Sequence, residues 1–161
     1  MVEKEKLEEQ IGEVLGLEMA AQKAVEELSS KGLLDKGGLK GKLQGMKNEA
    51  GDHQRRIEQV MQSVTESEGL DQQSIRQNAE ETSQKASQMM KTYLGEDADT
   101  LDALEFLCLA EGGEVTHYEV LDELAKEVKD EKFASEVKAI LEEEKQHLQL
   151  CTQLARENSG A

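Results

Sequence analysis

Apolar residues along this chain recur at alternating steps of three and four, the spacing that keeps side chains on one face of an α-helix. Four stripes follow that rule. The first is Leu7, Ile11, Val14, Glu18, Ala21, Val25, Leu28, and the second is Leu39, Leu43, Met46, Ala50, His53, Ile57, Val60, Val64. The third is Leu107, Ala110, Glu114, His117, Leu121, Leu124, Val128, and the fourth is Phe133, Val137, Ile140, Glu144, His147, Cys151, Leu154. They predict helices over about residues 3–29, 39–66, 100–129 and 131–158. Every stripe is apolar at both ends and ionisable or small in its middle.

The segments between the stripes set how the helices connect. Ser29 to Gly38, with its Gly37-Gly38 pair, reads as a short loop, so the first two helices are antiparallel neighbours. Lys129-Asp130-Glu131 joins the last two in the same way. Residues 67–99 contain a polar stretch, Gln72 to Lys91, followed by Gly95-Glu96-Asp97, long enough for a crossover along the molecule, in part as helix. Two antiparallel helical hairpins and a long crossover then make one domain over residues 1–161. Gly112 and Gly113 sit inside the third helix at about 1 kcal/mol each against alanine. A kink or π-bulge is expected there, beside Glu114.

Composition restricts the fold to the all-α class. There is no proline in 161 residues, aromatic residues are 2% of the chain, and period-two clusters of β-branched residues are missing. Acidic side chains number 35 against 19 basic ones, for a net charge of −16. Such a charge repels phosphate backbones and anionic headgroups, which argues against nucleic acid and membrane surfaces as partners. No apolar run reaches the roughly 18 residues of a membrane span. The opening Met1-Val2-Glu3-Lys4-Glu5-Lys6 lacks the apolar stretch of a secretory signal, and Cys108 and Cys151 lie outside any CxxC, so a reducing, cytoplasmic setting is expected. Both cysteines read as small core residues, and Met19, Met46, Met61, Met89 and Met90 as gap-filling contacts. Apolar residues in the crossover hint at a homodimer.

A glutamate in the middle of an apolar stripe needs a reason, because a buried carboxylate must be protonated, paired or bound to a metal. Glu18, Glu114 and Glu144 occupy such positions, and Glu49 is one position off its stripe. Counting outward from the hairpin loops puts Glu18 level with residue 52 and Glu114 level with residue 146. Acids and imidazoles from all four helices therefore meet in one layer, and no lysine or arginine of any stripe joins them. The hairpins also resemble each other, Glu18 to Leu28 falling over Glu114 to Leu124. Four carboxylates with imidazoles form an oxygen-and-nitrogen cage suited to two ions of iron, manganese or zinc, with bridging glutamates. Glu144-x-x-His147 is its sharpest element, both side chains lying on one face a turn apart. Glu49 and His53 share a face at i, i+4, and His117 is either a third nitrogen ligand or a partner of a bound carboxylate. Glu111 is expected to be a solvated acid, and Tyr118 either to donate a hydrogen bond to the site or to pack, with packing favoured.

The sequence resembles the ferritin-like superfamily, and within it the YciF-type stress-associated bacterial family. The stretches that carry the resemblance are Leu104 to Ala125 with His117-Tyr118-Glu119-Val120, Leu141 to Lys145, and Glu49 followed by Arg56-Ile57-Glu58-Gln59-Val60. It implies a ferritin-like four-helix bundle with a di-iron centre. By that analogy Glu18 and Glu114 are the single-glutamate ligands, and Glu144 with His147 forms the helix-four motif. Helix two departs from the pattern, since Ala50 stands three residues before His53 and Glu49 four before. The implied activity is oxidation of Fe(II) by O2 or peroxide, in metal handling or oxidative stress. Two other readings stay open on the residues alone: a helical interaction module whose metal, if any, is structural, and metal-assisted hydrolysis.

Overall fold

The computed structural model describes residues 2–160. It contains five α-helices and, among the described residues, no strand: α1 (Lys4–Ser30), α2 (Leu39–Glu68), α3 (Gln72–Tyr93), α4 (Thr100–Ala125) and α5 (Glu131–Glu157). None of them is long and apolar enough to cross a membrane. The crossover is thus mostly helix. Asp71 starts α3 by accepting hydrogen bonds from the backbone N–H groups of Gln73 and Ser74, and Ile75, Ala79, Ser83 and Met90 give it a narrow buried face. Asp99 caps α4 in a reciprocal capping box with Asp102, and Asp130 caps α5 through the N–H of Phe133.

Expected and observed boundaries differ most at the end of α4, which stops at Ala125 and not near residue 129. There the ladder tightens to three-residue steps, with the Val128 N–H bonded to Ala125 O, and the turn brings Val128 back onto the core. Gly112 and Gly113 lie in uninterrupted α-helix, so the expected π-bulge is not formed. The remaining backbone there keeps its ordinary ladder.

Buried apolar side chains form two clusters, and the order in which each helix visits them gives its direction. In the first cluster are Leu7 and Ile11 of α1, Ile57 and Val64 of α2, Leu121 of α4 and Phe133 of α5. The second holds Leu28, Leu43, Leu107 and Leu154 from the same four helices. Helices α1 and α5 therefore run one way and α2 and α4 the other. Contacts pair α1 with α2, α2 with α5, α5 with α4, and α4 with α1, so each neighbour in this circuit is antiparallel. α3, which connects two helices of the same direction, runs parallel to α1 and packs along its outer side.

That packing depends on two glycines. A Cβ on Gly12 would stand 2.7 Å from the Ile75 carbonyl oxygen, and one on Gly16 would stand 2.4 Å from that of Ala79. The backbone of α3 occupies the space a side chain would need. Between the two apolar clusters, at the middle of α1, α2, α4 and α5, lies a layer of buried ionisable groups: Glu18, His53, Glu111, Glu114, Glu144 and His147.

Candidate metal centre

Each helix of the circuit delivers its part of this layer where its apolar stripe is interrupted. On α5 the run Ile140, Glu144, His147, Cys151 is buried throughout, so Glu144 and His147 enter the centre together. His53 enters from α2, fully buried, and its Nδ1 lies 2.8 Å from Glu144 Oε1 and 3.4 Å from Glu18 Oε1. His147 Nδ1 is 3.4 Å from Glu144 Oε2 and 3.8 Å from Glu111 Oε2, while its Nε2 contacts Glu49 Oε2. The rings of His53 and His147 stack with centroids 5.4 Å apart. From the α1 side, Glu18 receives a hydrogen bond from the Tyr118 hydroxyl at 3.1 Å.

Two sets of possible ligands result, His53 with Glu144 and His147, and Glu18 with Glu114 and Glu144. Within each set the ligand atoms all lie within 4.8 Å of one another. Glu144 belongs to both. Several buried atoms here have no hydrogen-bond partner: Glu18 Oε2, Glu111 Oε2, Glu114 Oε1, Glu144 Oε2 and His53 Nε2. An unsatisfied buried polar group costs about 1–3 kcal/mol, more if charged, so a cluster of five is expensive unless something binds there. Arg56 stands beside this layer, but its guanidinium pairs with Glu136, Glu143 and Asp52, not with the buried acids.

The protons of the layer show the same crowding. Burial, reinforced by the charge of Glu144, pushes Glu18 well above the ordinary carboxylate range. Burial and the neighbouring Glu111 do the same to Glu114. Burial and Glu144 raise Glu111 to about 8. Glu144 goes the other way: burial opposes its charge, but the proximity of Glu18, His147 and His53 outweighs burial and holds it well below its ordinary value. The imidazoles gain what Glu144 gives. Burial disfavours their charged forms, yet the Glu144 contact raises His53, and it raises His147 to about 9. Without bound cations the layer thus favours protons on Glu18, Glu111 and Glu114 and charge on Glu144. Divalent cations would replace those protons.

Five of the seven residues expected from the sequence, Glu18, His53, Glu114, Glu144 and His147, come together in the buried layer. Glu49 reaches its edge through His147, with 59% of its side chain exposed. His117 does not reach the layer. Its Nδ1–H donates to Gly113 O at 2.8 Å, its Nε2 is 3.3 Å from Glu13 Oε2, and 37% of its side chain is exposed. Glu111, expected in solvent, is only 3% exposed and belongs to the cluster. Tyr118, for which packing is favoured over a hydrogen bond to the site, makes that hydrogen bond, to Glu18.

One shift of the α4 stripe explains all three differences. The observed face is Leu104, Leu107, Glu111, Glu114, Tyr118, Leu121, Ala125, again in steps of three and four. It shares Leu107, Glu114 and Leu121 with the expected stripe but takes Glu111 and Tyr118 where that stripe took Ala110 and His117. The signal was available: extending the period backward selects Leu104, which only the observed face contains. Cys108 and Cys151 are both free, and Cys151 is buried beside Met46, with the two sulfurs 3.7 Å apart. Among the methionines, Met46, Met61 and Met90 are core residues, whereas Met89 is exposed.

No curated protein and no solved structure matches this chain. Residues 3–160, nearly its whole length, match a family described as a domain of unknown function, DUF892, and the chain belongs to that family.

Proposed function

We propose that the chain is a single ferritin-like four-helix-bundle domain, with α3 as the crossover, whose buried layer binds two divalent metal ions and oxidises Fe(II). The carrying observation is that two buried ligand sets share Glu144 while five polar atoms of the layer lack partners. In this reading Glu144, common to both sets, would serve both ions, with Glu18 and Glu114 holding one and His53 and His147 the other, and Glu49 and Glu111 stand where each could add an oxygen. The donor set of carboxylate oxygens and imidazole nitrogens suits iron, with manganese and zinc as competitors.

The chemistry is an exchange of electrons between iron, as substrate, and an oxidant. Two Fe(II) give up one electron each, and one O2 takes both with two protons and leaves as hydrogen peroxide. Hydrogen peroxide as oxidant takes two electrons and two protons and leaves as two waters. What the chain contributes is position and charge. Four acids in a water-poor layer favour the more highly charged ferric product, and Tyr118 fixes Glu18 against rotation. A role in iron handling or in defence against oxidative stress follows from such an activity.

Anaerobic titration with Fe(II) should then saturate near two ions per chain, and admitting oxygen or peroxide should produce ferric absorption faster than in buffer. Glu144→Ala should abolish the acceleration. Glu142→Ala, an exposed position paired with Lys145, should leave it intact. Two ions bound with no acceleration over buffer would leave a structural metal as the better reading.

A further inference from the structure

A cavity of about 50 Å³ lies between α1, α3 and α4, touching α2 at Met46 and Lys47. Its wall is largely alkyl and aromatic, with Leu17, Ala24, Met90, Phe106, Leu107 and Ala110 prominent. The polar lining residues fall into two groups. Lys23, Glu27, Lys47 and Ser87 reach solvent, whereas Glu111 and Glu114 are 3% and 2% exposed. At that buried end Glu111 Oε2 and Glu114 Oε1 have no hydrogen-bond partner. The cavity therefore runs from residues that reach solvent to Glu111 and Glu114 of the candidate metal centre, between walls that offer few hydrogen bonds.

Size and polarity restrict what can use this space. A water needs about 10–15 Å³ by this measure, and an apolar cavity of about 150 Å³ admits benzene, so the cavity suits a molecule of very few atoms. A hydrogen-bonding solute such as peroxide would leave its water partners and find few along the largely apolar wall. An apolar diatomic loses nothing there. We propose that this cavity is the entry route and holding site for dioxygen beside Glu111 and Glu114. The inference rests on the Fe(II)-oxidation reading and adds to it which oxidant the fold admits, and from which side. Ala24 and Ala110 keep the passage open, since a longer side chain at either position would occupy it.

Xenon is a dense apolar probe of suitable size and needs no metal to bind. Crystals of the wild-type protein under xenon pressure should show xenon against Ala24, Met90 and Ala110. Ala24→Leu and Ala110→Leu, two independent ways of filling the space, should each remove it. In both variants the rate of Fe(II) oxidation by dioxygen, divided by the rate with hydrogen peroxide, should fall by about tenfold. Circular dichroism and Fe(II) stoichiometry equal to wild type identify the variants to be compared. Absence of xenon from the wild-type cavity, or an unchanged rate ratio in the filled variants, overturns the proposal. The two readings fail separately: oxidation without xenon removes the route alone, whereas no oxidation by either oxidant removes the activity and the route with it.

Discussion

The Tyr118 hydroxyl donates to Glu18 Oε1 where neither side chain meets water. Tyr118→Phe removes that donor and leaves both oxygens of Glu18 short of partners, so the metal-free protein should lose about 1–3 kcal/mol. Denaturant unfolding of the two proteins checks it, and a loss below about 0.5 kcal/mol would contradict a stabilising bond. The sequence favours packing for Tyr118 and solvent for Glu111, whereas it puts Glu18, Glu144 and His147 in the centre. The reason is local. On α5 the polar residues flanking the stripe leave one apolar face, but on α4 Ala110, Leu109 and Val120 surround the true face with further apolar positions, and two stripes one residue apart score alike. Asp130 gives a pH-dependent test at the same scale. Burial opposes its charge, but hydrogen bonds from the Ser63 hydroxyl and the N–H of Phe133 outweigh it and hold the carboxyl below the ordinary 3.8. A carboxyl lowered by folding contributes stability above its unfolded value and loses it as pH falls through the folded one. Asp130→Ala should therefore cost about 1 kcal/mol at neutral pH, and the gap between the unfolding curves should narrow below pH 3.8. A gap that is constant with pH would show that the carboxylate charge is not what caps α5.

At the scale of elements, four helices and their hairpin pairing were legible because each stripe is long and its breakers are clear. α3 was legible only as a stretch long enough to cross. Its buried face, Ile75, Ala79, Ser83 and Met90, is narrow and partly polar, and its partner surface on α1 is made of glycines, which carry no hydropathy signal. These glycines make a sharp prediction. Gly16→Ala gains up to about 1 kcal/mol of helix propensity, but its methyl would lie 2.4 Å from a backbone oxygen of α3, and overpacking of that kind costs about 1–3 kcal/mol. Overpacking wins, so the variant should melt lower than wild type. Gly45→Ala, on the exposed side of α2 with nothing within 4 Å, has only the propensity term and should melt higher. If both substitutions shifted the melting temperature upward, α3 would not be packed on α1 as described.

For the whole molecule, the layer of acids sets the relation between metal and stability. A ligand that binds only the folded chain adds about 4 kcal/mol at a thousand times its dissociation constant. In a protein of this size that corresponds to roughly 10 °C in melting temperature. Calorimetry of metal-free and metal-loaded protein should show a rise of that order, and equal melting temperatures would count against a buried centre. The apolar clusters on either side of the layer also bear on how the protein opens. Each is an apolar core by itself, and the layer between them holds five polar atoms without partners when unfilled. Hydrogen exchange should divide the metal-free chain into two cooperative units. The amides flanking Glu18, Glu114 and Glu144 should exchange by local opening, while those at the two ends wait for global unfolding. With the centre filled, the seam disappears and one protection level should extend along each helix. The metal would then decide whether this chain unfolds as one body or as two.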